Sequence, residues 1–321
     1  MTVPVSRREL LAGAAFMMQS SSGAGIPTRP FGKTGVRVSM LGLGGHHAAR
    51  PKEESESLRI IHKAIDEGIT FMDNAWEYHN GRAEEVMGKA LAMDGKRKRV
   101  FLMTKVCDRD YAGAMRQLEE SLTRLKTDVI DLWQFHECNY FNDPDYLLDK
   151  GGLRAALEAK KQGKVRFIGF TGHKSPRIHQ RMLQLKFDWD ACQMPVNIFD
   201  AAFESFSSGV IPVCQKRGVA VIGMKGCGGD GRMIADGHVS VEECYRYFLS
   251  QPVAVQVVGL ASEADLDRAV KIAREFKPMP EAELRTILQK HREIISDGRY
   301  ERFKTTQAYD SGHHRKQHGF S

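Results

Sequence analysis

The sequence predicts an α/β fold and, within that class, a closed (β/α)8 barrel of the TIM-barrel type. Eight short apolar runs follow one another from about residue 36, and segments with helical periodicity separate them. Parallel strands that are buried on both faces read as continuous apolar runs of this kind. Eight such units in about 250 residues match the usual size of the barrel.

The eight predicted strands are bounded by Gly, Asp or Lys. They are VRVSMLGLG from Val36, ITFMD from Ile69, VFLMTK from Val100, VIDLWQFH from Val129, VRFIGFTG from Val165, WDACQM from Trp189, VAVIGMK from Val219 and VAVQVVG from Val253. A doubly wound open sheet is the alternative architecture. The first strand runs into GLGGHH, which lacks the third glycine of the GxGxxG dinucleotide motif, so the barrel is favoured.

Helical patterns connect these strands. Leu58, Ile61 and Ile65 recur at helical spacing before Gly68, a residue type that often ends helices. The segment between the third and fourth strands has a similar apolar face, formed by Met115, Leu118, Leu122 and Leu125. Each pattern predicts a helix that covers the sheet.

Composition places the chain among globular proteins. It has 321 residues, 42% of them hydrophobic and 27% charged, with a net charge of +7. The basic run GKRKR, residues 95–99, has no interleaved aromatic residues, so we expect a solvated turn and no nucleic-acid partner.

The six cysteines occur singly, without CxxC or Cys/His ligand spacing. We therefore expect no metal site and expect the cysteines to pack as small hydrophobic side chains.

The amino terminus predicts a separate segment, residues 1–24. Paired Arg7 and Arg8 precede a short apolar run, residues 10–18, and then the small residues SSSGAG. This resembles a bacterial twin-arginine export signal with cleavage after Ala24. The apolar run is shorter than the roughly 20 residues that span a bilayer, so we expect no stable membrane insertion. The prediction is export to the periplasm by the twin-arginine machinery; a chance pair of arginines is the alternative.

Four polar residues of different kinds lie at the ends of neighbouring predicted strands. Asp73 ends the second strand, Tyr78 lies in the following loop, Lys105 ends the third strand and His136 ends the fourth. Active sites of (β/α)8 barrels form where the strands end, so these side chains are expected to converge. Taken singly, each has a structural alternative: a helix cap, a core aromatic residue, a solvated strand end or a core histidine.

Several motifs, in order, resemble those of the aldo-keto reductase family. They are GKTGVRVSMLGLGG, FMDNAWEYHNGRAEEVMGKAL, MTKV and SLTRLKTDVIDLWQFH, and the resemblance extends over about residues 30 to 270. It implies the (β/α)8 fold and a nicotinamide cofactor bound without a Rossmann domain. It also implies reduction of an aldehyde or ketone, or the reverse reaction, on a small-molecule carbonyl substrate.

The resemblance implies that Asp73, Tyr78, Lys105 and His136 form the catalytic tetrad. Hydride delivery to a carbonyl carbon leaves negative charge on the oxygen, and Tyr78 would donate a proton there. Lys105 is expected to lower the pKa of Tyr78, since a nearby cation favours the phenolate. Asp73 would keep Lys105 charged, and His136 would orient the carbonyl.

The resemblance also indicates cofactor contacts. The family commonly holds the nicotinamide carboxamide with a Ser-Asn pair and a Gln, and the matching residues are Thr171, Gly172 and Gln193. At the seventh strand, Met224 stands where the family frequently has a Tyr that stacks on the nicotinamide. Lys225 and Gly226 would approach the pyrophosphate of the cofactor. The alternative is that GCGGDG is only a flexible loop.

After the eighth strand, Ser262 is predicted to cap a helix, with Asp265 completing a capping box. Amides at the start of that helix would bind phosphate. The segment is Gly259, Leu260, Ala261, Ser262 and Asp265. NADPH-preferring relatives often carry Lys and Arg where this chain has Gly259 and Asp265. The family therefore implies NADP(H), whereas the missing cations leave NAD(H) open.

The predicted organisation is a signal segment, residues 1–24, a barrel, residues 25–295, and a polar His-rich tail, residues 296–321. We expect the tail to be solvated, with metal binding as the alternative. Two functions remain open. One is an exported NAD(P)H-dependent oxidoreductase, and the other is a catalytically weak, nicotinamide-binding regulatory or redox-sensing module. No sequence feature specifies an oligomeric state.

Overall fold

The computed structural model describes residues 25–320 and contains a closed barrel of eight parallel strands. The barrel strands are β3 Leu41–Gly44, β4 Phe71–Asp73, β5 Phe101–Val106, β6 Ile130–Phe135, β7 Val165–Thr171, β8 Ala191–Pro195, β9 Ala220–Met224 and β10 Val255–Val258. They pair in chain order, and β10 closes on β3. The predicted barrel is confirmed and the open sheet is excluded. The predicted export signal lies outside the described residues.

Helices cover the barrel, including those predicted after the first and third strands. Their bounds are α1 Gly45–Ala48, α2 Glu54–Asp66, α3 Arg82–Leu91, α4 Tyr111–Leu125, α5 Asp143–Asp149, α6 Gly152–Lys161, α7 Pro176–Gln184, α8 Phe206–Gly209, α9 Ile211–Arg217, α10 Arg232–Ala235, α11 Val241–Ser250, α12 Glu263–Arg274, α13 Glu281–Lys290, α14 Arg302–Thr305 and α15 Gly312–Gln317. Short 3₁₀ helices span Tyr78–Gly81, Lys96–Arg99 and Ile198–Ala201. Within residues 25–320, no helix combines the length and apolarity needed to cross a bilayer.

The first predicted strand is divided in the structure. Residues 37–39 form β2, which leaves the barrel and pairs antiparallel with β1, Thr28–Pro30. Met40 breaks the run by donating its backbone N–H to Pro27 at 2.9 Å. The hairpin places Phe31 beneath the barrel, where its ring lies 4.9 Å from that of Phe101. The hairpin therefore closes one end of the barrel and leaves the opposite end for the site.

The carboxyl-terminal segment, residues 296–320, packs on the barrel, so the expectation of a solvated tail is wrong. The side chains of Phe303 and His314 are fully buried. The ammonium of Lys304 lies 2.7 Å from Glu301 and 2.8 Å from Asp200, on the barrel side. Buried charges are tolerated when they are paired. These pairs explain how so polar a segment can be buried.

The basic run GKRKR is held to the barrel surface by acidic partners. Lys96 and Arg99 both contact Asp66, and Arg97 contacts Asp131 at 2.9 Å. Lys96 is buried, so the run is not the fully solvated turn that the sequence predicts. Three of its four cationic side chains, those of Lys96, Arg97 and Arg99, are thus directed to the protein itself.

Candidate active site

The structure brings the four predicted tetrad residues together at the carboxyl ends of β4, β5 and β6. Lys105 is buried, and its Nζ donates to Asp73 Oδ1 at 2.8 Å and to the Tyr78 hydroxyl at 3.0 Å. It also donates to the carbonyl of Asn74 at 2.8 Å. The ring of Tyr78 meets that of His136 edge-on, with centroids 5.8 Å apart. The Lys105 ammonium thus fixes the position of the Tyr78 hydroxyl relative to the Asp73 carboxylate.

Tyr78 keeps its proton more strongly than the sequence predicts. Burial raises its pKa well above the ordinary value, and the charge of Asp73 raises it further. Lys105 was expected to lower the pKa of Tyr78. This effect is outweighed, because removing the phenolate from water destabilises it more than one nearby cation stabilises it. Tyr78 is therefore a protonated hydrogen-bond donor at neutral pH.

Two residues that the sequence did not single out support His136. A carboxylate oxygen of Glu77 lies 3.0 Å from His136 Nδ1. Arg109 donates to the backbone carbonyls of His136 at 2.9 Å and Glu137 at 3.0 Å, and pairs with the buried Asp143 at 2.9 Å. The turn after β6 is thereby fixed. No local pattern marks these contacts, since they join three separate loops.

A cleft of about 1330 Å³ opens above the tetrad. Five of the predicted cofactor residues line it: Gln193, Met224, Lys225, Gly226 and Gly259. The other six lie outside its lining: Thr171, Gly172, Leu260, Ala261, Ser262 and Asp265. The cleft exceeds the roughly 300–1,000 Å³ of ordinary small-molecule pockets. It can hold an extended ligand.

The nicotinamide-carboxamide contacts differ from the predicted set. Gln193 donates its amide to Asp73 Oδ2 at 2.9 Å and accepts from Gln134 at 2.9 Å. A Cβ on Gly172 would lie 2.3 Å from the carbonyl oxygen of Cys138, so no amide side chain fits there. The ring of the next residue, His173, does not replace the missing amide, because its Nε2 lies 2.5 Å from a carboxylate oxygen of Glu137. Gln193 therefore belongs to the tetrad network as well as to the cleft wall.

At the predicted phosphate end, Ser262 caps α12 by accepting the backbone N–H of Asp265 at 3.2 Å. The Asp265 carboxylate accepts the Ser262 hydroxyl at 2.8 Å, in place of the backbone contact of a full capping box. A Cβ on Gly259 would lie 2.6 Å from the ring of His47. His47 thus occupies the space that a cationic side chain at position 259 would need.

Lys225 supplies a positive charge inside the cleft. Its Nζ lies 5.1 Å from the ring centre of Phe303 and 5.4 Å from that of Tyr309. Burial lowers its pKa, while the charge of Glu137 opposes that change. Among the described residues, no carboxylate lies within ion-pair distance of its Nζ. The cation is thus available to an anionic group in the cleft.

Known proteins resemble this chain in sequence and in fold. A model of the Aldo/keto reductase family matches residues 40–232, more than half of the chain. Aldo-keto reductase YhdN of Bacillus subtilis is 31% identical over 189 residues, 53% of this chain and 54% of that protein. The 6-dehydroglucose reductase of Novosphingobium aromaticivorans is 31% identical over 166 residues, 47% of this chain and 53% of that protein. The chain thus spans about half the length of these relatives.

A solved structure extends the comparison to most of the chain. The holo form of aldo-keto reductase AKR11C1 from Bacillus halodurans superposes with a TM-score of 0.69 at 25% identity. The match covers 83% of this chain and 96% of that structure. Family model, relatives and fold agree, and the chain belongs to the aldo/keto reductase family.

Proposed function

We propose that the protein is an NAD(P)H-dependent oxidoreductase that reduces an aldehyde or ketone to an alcohol, or catalyses the reverse reaction. The observation that carries this proposal is the buried Lys105 ammonium, which contacts both Asp73 and the Tyr78 hydroxyl. A proton donor of this kind beside a large cleft suits a reaction that leaves negative charge on a carbonyl oxygen.

The cleft wall fits a nicotinamide dinucleotide in part. Gln193 and Met224 would border the nicotinamide, and Lys225 with Gly226 would meet the pyrophosphate. The bound cofactor supplies the hydride. Tyr78 donates its proton to the substrate oxygen, and Lys105 and Asp73 hold the hydroxyl in position. His136, which lines the same cleft, is placed to donate a hydrogen bond to the carbonyl.

Both NADP(H) and NAD(H) are proposed as cofactors. The family resemblance supports NADP(H). Gly259 and Asp265 offer no cation to a 2′-phosphate, and this favours NAD(H) relative to NADPH-preferring members. We further propose export to the periplasm by the twin-arginine machinery, because Arg7 and Arg8 precede a short apolar run.

The proposal is tested by mixing the purified full-length protein with NADPH or NADH and following cofactor fluorescence. A panel of aldehydes, ketones and oxidised sugars is then added; the sugars are included because one relative is named as a 6-dehydroglucose reductase. Oxidation of cofactor by a panel member is expected. Binding without oxidation throughout the panel would overturn the proposal in favour of a nicotinamide-binding regulatory module.

Tyr78→Phe tests the role of the phenol in the same assay. Turnover should fall by about 10²- to 10⁴-fold, the usual contribution of general acid catalysis, while cofactor binding persists. Full activity in this variant would remove Tyr78 from the mechanism.

A further inference from the structure

Four metal-ligating side chains meet beside the tetrad histidine. They are Glu77, Cys107, His136 and His314, and one ligand atom from each lies within 4.8 Å of all the others. Three of the side chains are buried, and that of Glu77 is 15% exposed. They come from the loop after β4, the end of β5, the end of β6 and α15. The fold, and not any sequence motif, assembles the group.

One nitrogen of this cluster has a carboxylate neighbour at ion-pair distance but makes no aligned hydrogen bond. Nδ1 of His136 is buried and has no hydrogen-bond partner among residues 25–320, although a Glu77 oxygen is 3.0 Å away. The same Glu77 oxygen lies 3.8 Å from Nε2 of His314. A buried nitrogen without a hydrogen bond is costly unless another ligand fills its lone pair. The unsatisfied nitrogen points to such a ligand.

We propose that Glu77, Cys107, His136 and His314 bind a divalent transition metal of the Zn²⁺ type. One sulfur, two imidazole nitrogens and a carboxylate oxygen are the ligand types that tetrahedral zinc takes in proteins. Binding releases the Cys107 thiol proton to solvent, since the thiolate is the ligand. Four protein ligands close the coordination sphere, so the site fastens α15 to the barrel.

His314 would exchange an existing hydrogen bond for the metal. Its Nε2 accepts the backbone N–H of Glu137 at 3.0 Å, and metal binding exchanges that hydrogen bond for a metal–nitrogen bond. Metal on Nδ1 of His136 would leave Nε2 as the nitrogen that carries the proton. The bound metal therefore fixes the tautomer of the tetrad histidine.

A second group, Glu137, His173 and Asp310, lacks this signature. Nε2 of His173 lies 2.5 Å from Glu137, and Asp310 pairs with Lys174 at 2.9 Å. Because these ligand atoms already have partners, the group is a salt-bridge network. It also contains no sulfur ligand.

The test is titration of the untagged, chelator-treated full-length protein with Co²⁺, followed by absorption spectroscopy. We expect intense visible d–d bands of tetrahedral cobalt and a near-ultraviolet sulfur-to-cobalt charge-transfer band. The readout needs no substrate and is independent of the proposed reductase activity. Cys107→Ser should abolish the charge-transfer band. Cys227→Ser is the matched control, because Cys227 is a partly exposed cysteine of the cleft, and it should leave the band unchanged.

His314→Gln should weaken Co²⁺ binding by at least about tenfold, because even the loss of an outer-sphere partner costs about 10- to 100-fold in metal affinity. If Cys107→Ser does not fold, as judged by circular dichroism, Glu77→Gln replaces it and should weaken binding to a similar extent. The proposal is overturned by the absence of both bands in the wild-type protein. It is equally overturned by a charge-transfer band that survives Cys107→Ser, by its loss in Cys227→Ser, or by unchanged affinity in Glu77→Gln.

Discussion

The side-chain amide of Gln193 donates to Asp73 Oδ2 at 2.9 Å, while Lys105 occupies Oδ1 at 2.8 Å. Both oxygens of this buried carboxylate are therefore satisfied from the barrel interior. The arrangement couples β8 to the tetrad, because Gln193 lies on β8 and Asp73 ends β4. Gln193, which is expected to contact the cofactor, therefore also positions Asp73, the carboxylate that holds Lys105 beside Tyr78.

Gln193→Met should lower the free energy of unfolding by about 1–3 kcal/mol, because it leaves one oxygen of the buried Asp73 without its donor. Urea unfolding measures the change. Gln256→Met is the matched control: Gln256 is buried, and neither of its amide atoms has a partner among the described residues. Its replacement should be neutral or stabilising. Equal losses in the two variants would show that the bond to Asp73 contributes nothing.

The barrel could be predicted from the sequence because most residues of its strands are buried and each strand reads as an apolar run. The hairpin of β1 and β2 could not, since residues 28–30 are too few to form a pattern. Burial of the carboxyl-terminal segment was also missed. Lys304 donates to Asp200, and His314 accepts from the backbone of Glu137; each of these partners lies more than 100 residues away in the sequence. No local periodicity therefore reveals these contacts.

Convergence of the tetrad followed from the rule that chemistry in this fold gathers where strands end. The contacts that orient His136 within the tetrad could not be predicted in this way. Arg109 acts on the backbone of residues 136 and 137, and Glu77 acts through the ring of His136. The pKa of Tyr78 depends on how completely the hydroxyl is buried from solvent, and residue spacing does not encode this burial.

Asp265→Asn should raise the ratio of kcat/KM with NADPH to that with NADH. Removing one negative charge near the 2′-phosphate is worth about 1 kcal/mol in aqueous surroundings, or about fivefold. Asn still accepts the Ser262 hydroxyl, so the helix cap persists. Asp267→Asn, on the same helix but paired with Lys63, is the control and should leave the ratio unchanged. An unaltered ratio in Asp265→Asn would place the 2′-phosphate elsewhere.

Arg109→Met should cost about 3–5 kcal/mol of folding free energy, because it removes the guanidinium that pairs with the buried Asp143 and leaves His318 as the remaining ion-pair partner of that carboxylate. It also frees the carbonyls of residues 136 and 137, so kcat should fall in whatever folded protein remains. Arg116→Met is the control, since the side chain of Arg116 is 61% exposed and its ion pairs should contribute less than about 1 kcal/mol. Equal unfolding free energies for the two variants would contradict the assigned role.

His179 should make the barrel sensitive to acid. Burial lowers its pKa from 6.5 to about 4, although its bond to the Gln193 carbonyl opposes this. Between these values the unfolded chain binds the proton more readily than the folded one. Stability from this residue is therefore complete above about pH 6.5 and is lost as the pH falls, by about 2 kcal/mol at pH 5.

Urea unfolding of wild type and His179→Gln at pH 7, 6 and 5 measures this contribution. The variant should be less stable at pH 7 but should lose about 2 kcal/mol less than the wild type on acidification to pH 5, because Gln does not titrate. Phe206→Leu is the control: the Phe206 ring lies 4.9 Å from the His179 ring, and its truncation removes packing without removing a proton site. It should lower stability to the same extent at every pH. Parallel pH profiles for wild type and His179→Gln would show that another group causes the acid sensitivity, since the folded protein would then bind the His179 proton as readily as the unfolded chain.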